Sequence, residues 1–304
     1  MPDPNRLTVS ATQAPALFNA SPYVTRWMLY HFFKGAPIEG VTTARMAWGL
    51  KMQPLLLAQA SEDLKLEVEP THDYVASKTE PLGYTADAFV HCPDRGPGTI
   101  ETKCVFDYGV WARDWDSGKR VPRHYDLQLQ QQLAVGDGST PFKWGVIAAW
   151  VGAEMHYFER QYDPQVHGAL RAAASEMLDQ VAHNREPEPF GSSVESPLLA
   201  ALFPVVKGTV YDLREHKDGQ KWADLALAYE GYGREASFYD KARESARDEL
   251  RAMAQSCEEV WLPGGIKLKL VTRTVKEHTR KASTSTTLKV EKTGEANVER
   301  SDGP

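Results

Sequence analysis

From Trp144 to Val151 the chain runs Trp-Gly-Val-Ile-Ala-Ala-Trp-Val, with no charge between Lys143 and Gly152. Such a run is too short to span a bilayer and has the length of a β-strand buried on both faces. A strand covered twice needs a layer on each side, so the chain is expected to build an α/β core with helices on both faces of a mixed sheet. The rest of the pattern agrees. A short helix capped by Ser10 or Thr12 is expected to reach Leu17, and a second is expected to open at Ser21-Pro22 and stop at Gly35 and Pro37. A third is expected from Thr43 to Asp63, before alternation begins at Leu64, Leu66 and Val68. Tyr84 to Cys92 and Thr99 to Phe106, separated by Pro93-Asp94-Arg95-Gly96-Pro97-Gly98, read as a hairpin. Helices from Arg123 to Val135 and from Pro164 to about His183 complete the core, with His156 to Gln161 returning beside the apolar strand.

The core is expected over 1–190, followed by a Pro-, Glu- and Ser-rich linker at Arg185 to Pro197, a helical and β-hairpin extension to 290, and a disordered tail over 291–304. In the extension, helix is expected from Gln220 to about Ala254, interrupted at Gly231 and Gly233. The 304 residues carry a formal charge of -6, so a nucleic-acid surface has to be local. Ile266 to Lys292 supplies one candidate, with eight basic residues against Glu277 and Glu291. It is either an arm along a DNA backbone or an edge strand protected by lysines. Three cysteines are too few for a disulfide framework, and the polar N-terminus lacks a secretory h-region. A cytoplasmic protein with no membrane partner is the expectation.

Chemistry concentrates on the hairpin. Asp87 falls opposite the Glu101 to Lys103 stretch to within about one residue of register, and Glu101 and Lys103 share one face while Thr102 points away. A solvated cross-strand salt bridge is the plain reading of such a trio. The apolar flanks Ala86, Ala88, Phe89, Val90, Ile100 and Val105 argue for an enclosed face, where two carboxylates invite Mg²⁺ or Mn²⁺. There is no G-x-S-x-G elbow and no Walker A sequence, which leaves acyl transfer and ATP hydrolysis without residues to perform them.

An Asp on one strand and Glu-x-Lys on the next resembles the PD-(D/E)xK nucleases. The ordered set of Val9-Ser10-Ala11-Thr12, Asn19-Ala20-Ser21-Pro22-Tyr23, the Gly49 to Pro54 helix, the hairpin trio and Tyr125-Asp126-Leu127-Gln128-Leu129-Gln130 is similar to the lambda exonuclease and YqaJ family of phage recombination exonucleases. The resemblance implies a restriction-endonuclease-like core and an alkaline-type 5′ to 3′ exonuclease that digests one strand of linear double-stranded DNA. The 3′ overhang it leaves would pass to a single-strand annealing protein. It implies metal ligands at Asp87, Glu101 and the Thr102 carbonyl, with Gln53 at a position usually held by glutamate. Lys103 would orient or activate the attacking water, supported by Gln128, with Tyr125 one turn earlier.

The resemblance further implies a 5′-phosphate pocket formed by Arg6, Ser10, Thr12 and Thr85, with Arg26 as an alternative ligand and Tyr125 near the DNA. A closed ring, a homotrimer, is its expected assembly, with apolar residues at Leu198 to Val206 available for the interface. Two plainer readings stand beside these roles: Gln128, Gln130, Gln131 and Gln132 as a solvated helix face, and Ser10 and Thr12 as ordinary caps. The tryptophans, Trp111, Trp115, Trp144 and Trp150 among them, are mostly expected in the core, though Trp111 and Trp115 fall in the loop after the hairpin and could stack on frayed bases. The competing functions are a DNA-end-binding protein that has lost activity, motivated by Gln53, and a restriction or repair endonuclease of the same superfamily.

Overall fold

A computed structural model of the chain describes residues 7–36 and 44–203, scattered positions between 217 and 240, and strands at 259–262 and 266–269. Arg6, the tail over 291–304 and all of the basic segment beyond Lys269 lie outside the described residues. The chain divides into two units, Met1–Val205 and Val206–Pro304.

The first unit is a mixed α/β fold. Its elements in chain order are β1 (Val9–Ser10), a 3-10 turn (Ala14–Phe18), α1 (Arg26–Phe33), α2 (Ala44–Leu64), β2 (Glu67–Pro70), β3 (Tyr74–Ala76), β4 (Leu82–Thr85), β5 (Ala88–Cys92) and β6 (Gly96–Val105). These are followed by α3 (Tyr108–Asp114), α4 (Arg123–Val135), β7 (Trp144–Val151), β8 (Glu154–Gln161), α5 (Pro164–Ala182) and α6 (Ser196–Leu202). The central sheet has the order β2-β5-β6-β7-β8, with β6 and β7 parallel and the other pairs antiparallel. A smaller sheet, β1-β4-β3, stands beside it.

The apolar run is the interior strand its sequence demands. Trp144, Val146 and Ala148 pack with Leu57 and Ala60 of α2, whereas Ile147, Ala149 and Val151 pack with Leu129 and Leu133 of α4. The period of two along β7 therefore assigns one helix to each face. The same alternation along β6 sends Ile100 into the cluster beneath α2 and Val105 into the cluster beneath α4, so Glu101 and Lys103 fall on the α4 side.

Several local expectations are corrected. The predicted strand Tyr84 to Cys92 is two strands: β4 pairs with β1 and β3, and β5 starts at Ala88 in the other sheet. Asp87 sits at the break between sheets. Ser10 is a strand residue rather than a cap, paired with Gly83 in parallel register. α1 begins four residues after Pro22, because the Thr25 hydroxyl accepts from the Met28 N–H at 3.2 Å, while Ser21 Oγ accepts from Tyr23 N and Val24 N in a local turn. Trp111 and Trp115 are buried, stacked on each other and on Phe158 and His156, and thus belong to the core rather than to an open loop.

The expected linker is docked. Glu195 is wholly buried and accepts from Thr25 Oγ1 at 2.5 Å and from the N–H groups of Phe190 and Gly191. Leu198 packs on Trp27 and Met28. These contacts extend the first unit beyond residue 190, to Val205, and they occupy Leu198 within its own chain. Phe203 is exposed.

In the second unit, β9 (Glu259–Leu262) and β10 (Ile266–Lys269) pair antiparallel, with Ile266 opposite Leu262. Residues 231–232 and 234–240 are helical, and Gly233 lies outside the described residues. Among the described residues no helix is long and apolar enough to cross a membrane.

Candidate active site

β5 and β6 pair with Ala88 opposite Ile100, which sets Asp87 across from Glu101. That position falls within the Glu101 to Lys103 stretch expected from the sequence. Asp87, Glu101, Thr102 and Lys103 all line a cleft of 680 Å³, whose wall also includes Thr12, Gln53, His124 and Tyr125.

Each carboxylate has its own support. Asp87 Oδ2 accepts from the Thr102 N–H at 2.7 Å and the Thr102 hydroxyl at 2.6 Å. Thr102, expected to point away, thus clasps the aspartate from the far side of the strand. Glu101 Oε1 accepts from Lys103 Nζ at 2.5 Å and Gln128 Nε2 at 2.7 Å, and Oε2 accepts from Gln132 Nε2 at 2.6 Å. Lys103 also donates to Gln128 Oε1 at 3.2 Å and lies over the Tyr125 ring, 4.7 Å from its centroid.

The glutamines of α4 are therefore not a solvated face. Gln128, Gln130, Gln131 and Gln132 are all buried. Gln131 Nε2 ties the carbonyls of Val9 and Gly83, holding β1 to β4, and Gln130 bonds the Gln161 carbonyl and the Asp163 N–H at the start of α5. Gln132 is the site residue the sequence reading missed. Its signal was the four-residue spacing from Gln128, which stacks the two amides on one side of the helix.

Electrostatics follow from this crowding. Burial, reinforced by the charge of Glu101, raises the Asp87 carboxyl to about 6, against the opposing pull of Lys103 and the Thr102 bonds. Burial works against the charge on Lys103, but the carboxylates of Glu101 and Asp87 outweigh it and raise the ammonium above its ordinary value. Lys103 is accordingly a fixed cation at neutral pH. His124 is pushed down to about 4 by burial and then by Lys103.

The other candidates are scattered. Thr12 lines the cleft with Ser10 Oγ 3.0 Å from its hydroxyl, whereas Thr85 is exposed on β4 opposite Tyr74. Arg26 is engaged away from the cleft, by Gln180, Glu176 and the Leu17 carbonyl. Tyr125 faces Lys103.

Among the described residues no three His, Cys, Asp or Glu side chains gather at one point. Two carboxylates nonetheless fit a hard divalent cation, because Mg²⁺ commonly takes one or two of them and completes its shell with water and substrate phosphate. Burial and then the charge of Glu101 lift the Asp87 carboxyl, and such a cation would offset both.

Residues 5–140 match the family model of the YqaJ-like viral recombinase domain. No curated protein matches the sequence. Among solved structures, the alkaline exonuclease LHK-Exo from Laribacter hongkongensis superposes with a TM-score of 0.46 at 17% identity, over 65% of this chain and 95% of its own. LHK-Exo in complex with dAMP gives 0.48 at 16% identity, over 64% and 93%. A phage related exonuclease from Haemophilus somnus gives 0.45 at 12% identity, over 59% and 96%.

Proposed function

We propose, from the match of residues 5–140 to the YqaJ-like viral recombinase domain and from the cleft described above, that the chain is a metal-dependent exonuclease that digests the 5′-ended strand of linear double-stranded DNA. The product, a duplex with a 3′ single strand, is the substrate for recombination by strand annealing. The observation that carries this reading is the cleft in which Asp87, Glu101 and Lys103 meet, with Gln128 bonded to both the acid and the amine.

Asp87 and Glu101 would hold the cation, with the Thr102 carbonyl and the Gln53 amide as further oxygen donors. When bound, it would supply an activated water and neutralise charge on the scissile phosphate. Thr102 fixes the direction of Asp87, and Gln128 fixes Lys103 against Glu101. Lys103, charged and held between carboxylate and aromatic ring, is built to contact a non-bridging phosphate oxygen rather than to abstract a proton. The hydroxyls of Thr12 and Ser10 suit a terminal phosphate, and Arg6 would join them. A homotrimeric ring around the duplex would keep the enzyme on DNA between hydrolytic steps.

Incubation with linear duplex in Mg²⁺ tests this. Release of nucleotides from 5′-phosphorylated ends is expected, with closed circles untouched. Asp87→Ala, Glu101→Ala and Lys103→Ala should each lower the rate at least 10²-fold, a loss of about 3 kcal/mol or more in transition-state stabilisation. Near-native digestion by any of the three would show that the chemistry lies elsewhere.

A further inference from the structure

A carboxylate has about four lone-pair positions, two on each oxygen. Glu101 Oε1 has both of its own filled, by Lys103 Nζ and Gln128 Nε2, while Oε2 receives one donor, Gln132 Nε2. Asp87 shows the complementary pattern: both bonds from Thr102 fall on Oδ2. One acceptor position on Glu101 Oε2 and those of Asp87 Oδ1 are therefore the ones these donors leave open toward a cation. Gln132 is fully buried on α4, and its own Oε1 is buried without a partner. A buried acceptor without a partner costs about 1–3 kcal/mol, so packing alone gives no reason for an amide here when a methionine would fill the same space. The amide's one evident return is its bond to Glu101.

We propose that Gln132 is a positioning residue that fixes the rotation of Glu101 and presents a single lone pair of Oε2 to a divalent cation. The proposal rests on the nuclease reading for its purpose, but it concerns metal binding and can be tested without DNA. Without the Gln132 bond the carboxylate is free to turn about its last torsion, and its open lone pair no longer has a fixed direction.

The test is Mn²⁺ binding to the DNA-free full chain by calorimetry, for wild type, Gln132→Met and Gln130→Met. Gln130 belongs to the same buried run but bonds only to Gln161 and Asp163, so it reports what loss of a structural amide does. Gln132→Met is expected to weaken Mn²⁺ binding at least tenfold, and Gln130→Met to leave it within about twofold of wild type. Equal Mn²⁺ affinity in folded Gln132→Met and wild type would overturn the proposal, as would equal weakening by both variants.

Should Gln132→Met not fold, a crystal of wild type soaked in Mn²⁺ decides by anomalous scattering. A peak against Oε2, with Gln132 Nε2 still on that oxygen, supports the assignment, and a bidentate or Oε1-bound ion defeats it. A wild type that binds Mn²⁺ with the expected Gln132 dependence yet leaves linear duplex intact would sink the nuclease reading while supporting the role of Gln132. Absence of Mn²⁺ binding in wild type would sink both.

Discussion

His124 opens the helix that carries the supporting glutamines, and its ring centroid is 4.0 Å from that of Tyr125. Its Nε2 is buried without a hydrogen-bond partner, and its imidazole is pushed down to about 4 by burial first and by Lys103 second. The linkage has a definite sign. An unfolded imidazole takes up its proton near 6.5, so between about 6.5 and 4 the unfolded chain binds a proton that the folded chain refuses. The stability owed to neutral His124 is present in full above 6.5 and is lost as the pH falls toward 4. A depression of this size at full burial would amount to about 3 kcal/mol, and partial exposure of the residue brings it to roughly 1–2 kcal/mol. His124→Phe, which keeps a ring against Tyr125, should reduce the loss of stability between pH 7 and pH 4.5 by that amount in urea melts. An unchanged difference between the two pH values would remove His124 as its source. Nothing in the sequence marked this histidine, because the packing that buries it and the charge of Lys103 on β6 come from distant parts of the chain.

At the scale of elements, what was legible and what was not separates by the range of the interactions. The apolar run of β7, the spans of α4 and α5, and the same-face placement of Glu101 and Lys103 follow from local sequence signals, and each was readable. The break at Asp87 was not, since Tyr84 to Cys92 alternates smoothly and only its partners divide it: β1 and β3 claim the first half, β2 and β6 the second. The glutamine run misled for a related reason. Polar residues read as solvated unless their buried partners, Glu101 and the Val9, Gly83 and Gln161 carbonyls, are already in place. The end of α4 exposes the same dependence on distant chain. Gly136 adopts φ +55°, and a Cβ there would come 1.8 Å from the Thr140 carbonyl oxygen, a backbone atom that cannot step aside. Its own carbonyl accepts from the buried Tyr84 hydroxyl at 2.7 Å. Gly136→Ala is expected to destabilise by about 2–4 kcal/mol, lowering the melting temperature by roughly 5–15 °C. Gly168→Ala supplies the contrast: it lies inside α5 with open space around its Cβ position, and it should stabilise by about 0.5–1 kcal/mol through helix propensity. A melting temperature for Gly136→Ala equal to wild type would show that the turn relaxes without cost.

At the scale of the molecule, the proposed function requires a chain of net charge -6 to hold an anionic duplex. Long-range repulsion opposes any approach except where cations are gathered, so binding through local basic patches releases counterions and weakens steeply with salt. A processive enzyme with this charge gains from enclosing its substrate, since a closed ring cannot dissociate sideways between steps. Rings require a heterologous contact repeated around an axis. Of the stretch from Leu198 to Val206, Leu198 is spent on Trp27 and Met28 of its own chain while Phe203 is exposed, and 204–206 lie outside the described residues. Trp48 and Leu55, seven residues apart on α2 and both more than half exposed, present apolar surface on one side of that helix. Light scattering at micromolar concentration is expected to give three times 33.9 kDa for wild type, and Leu55→Glu, which places a charge in that surface, should shift the mass toward a single chain. Digestion by Leu55→Glu should then become distributive, with short products from many ends rather than long resection of few, and its DNA binding should be lost at lower salt than that of wild type. A monomeric wild type that still resects long tracts would exclude the ring, and the hold on DNA would then have to come from within one chain.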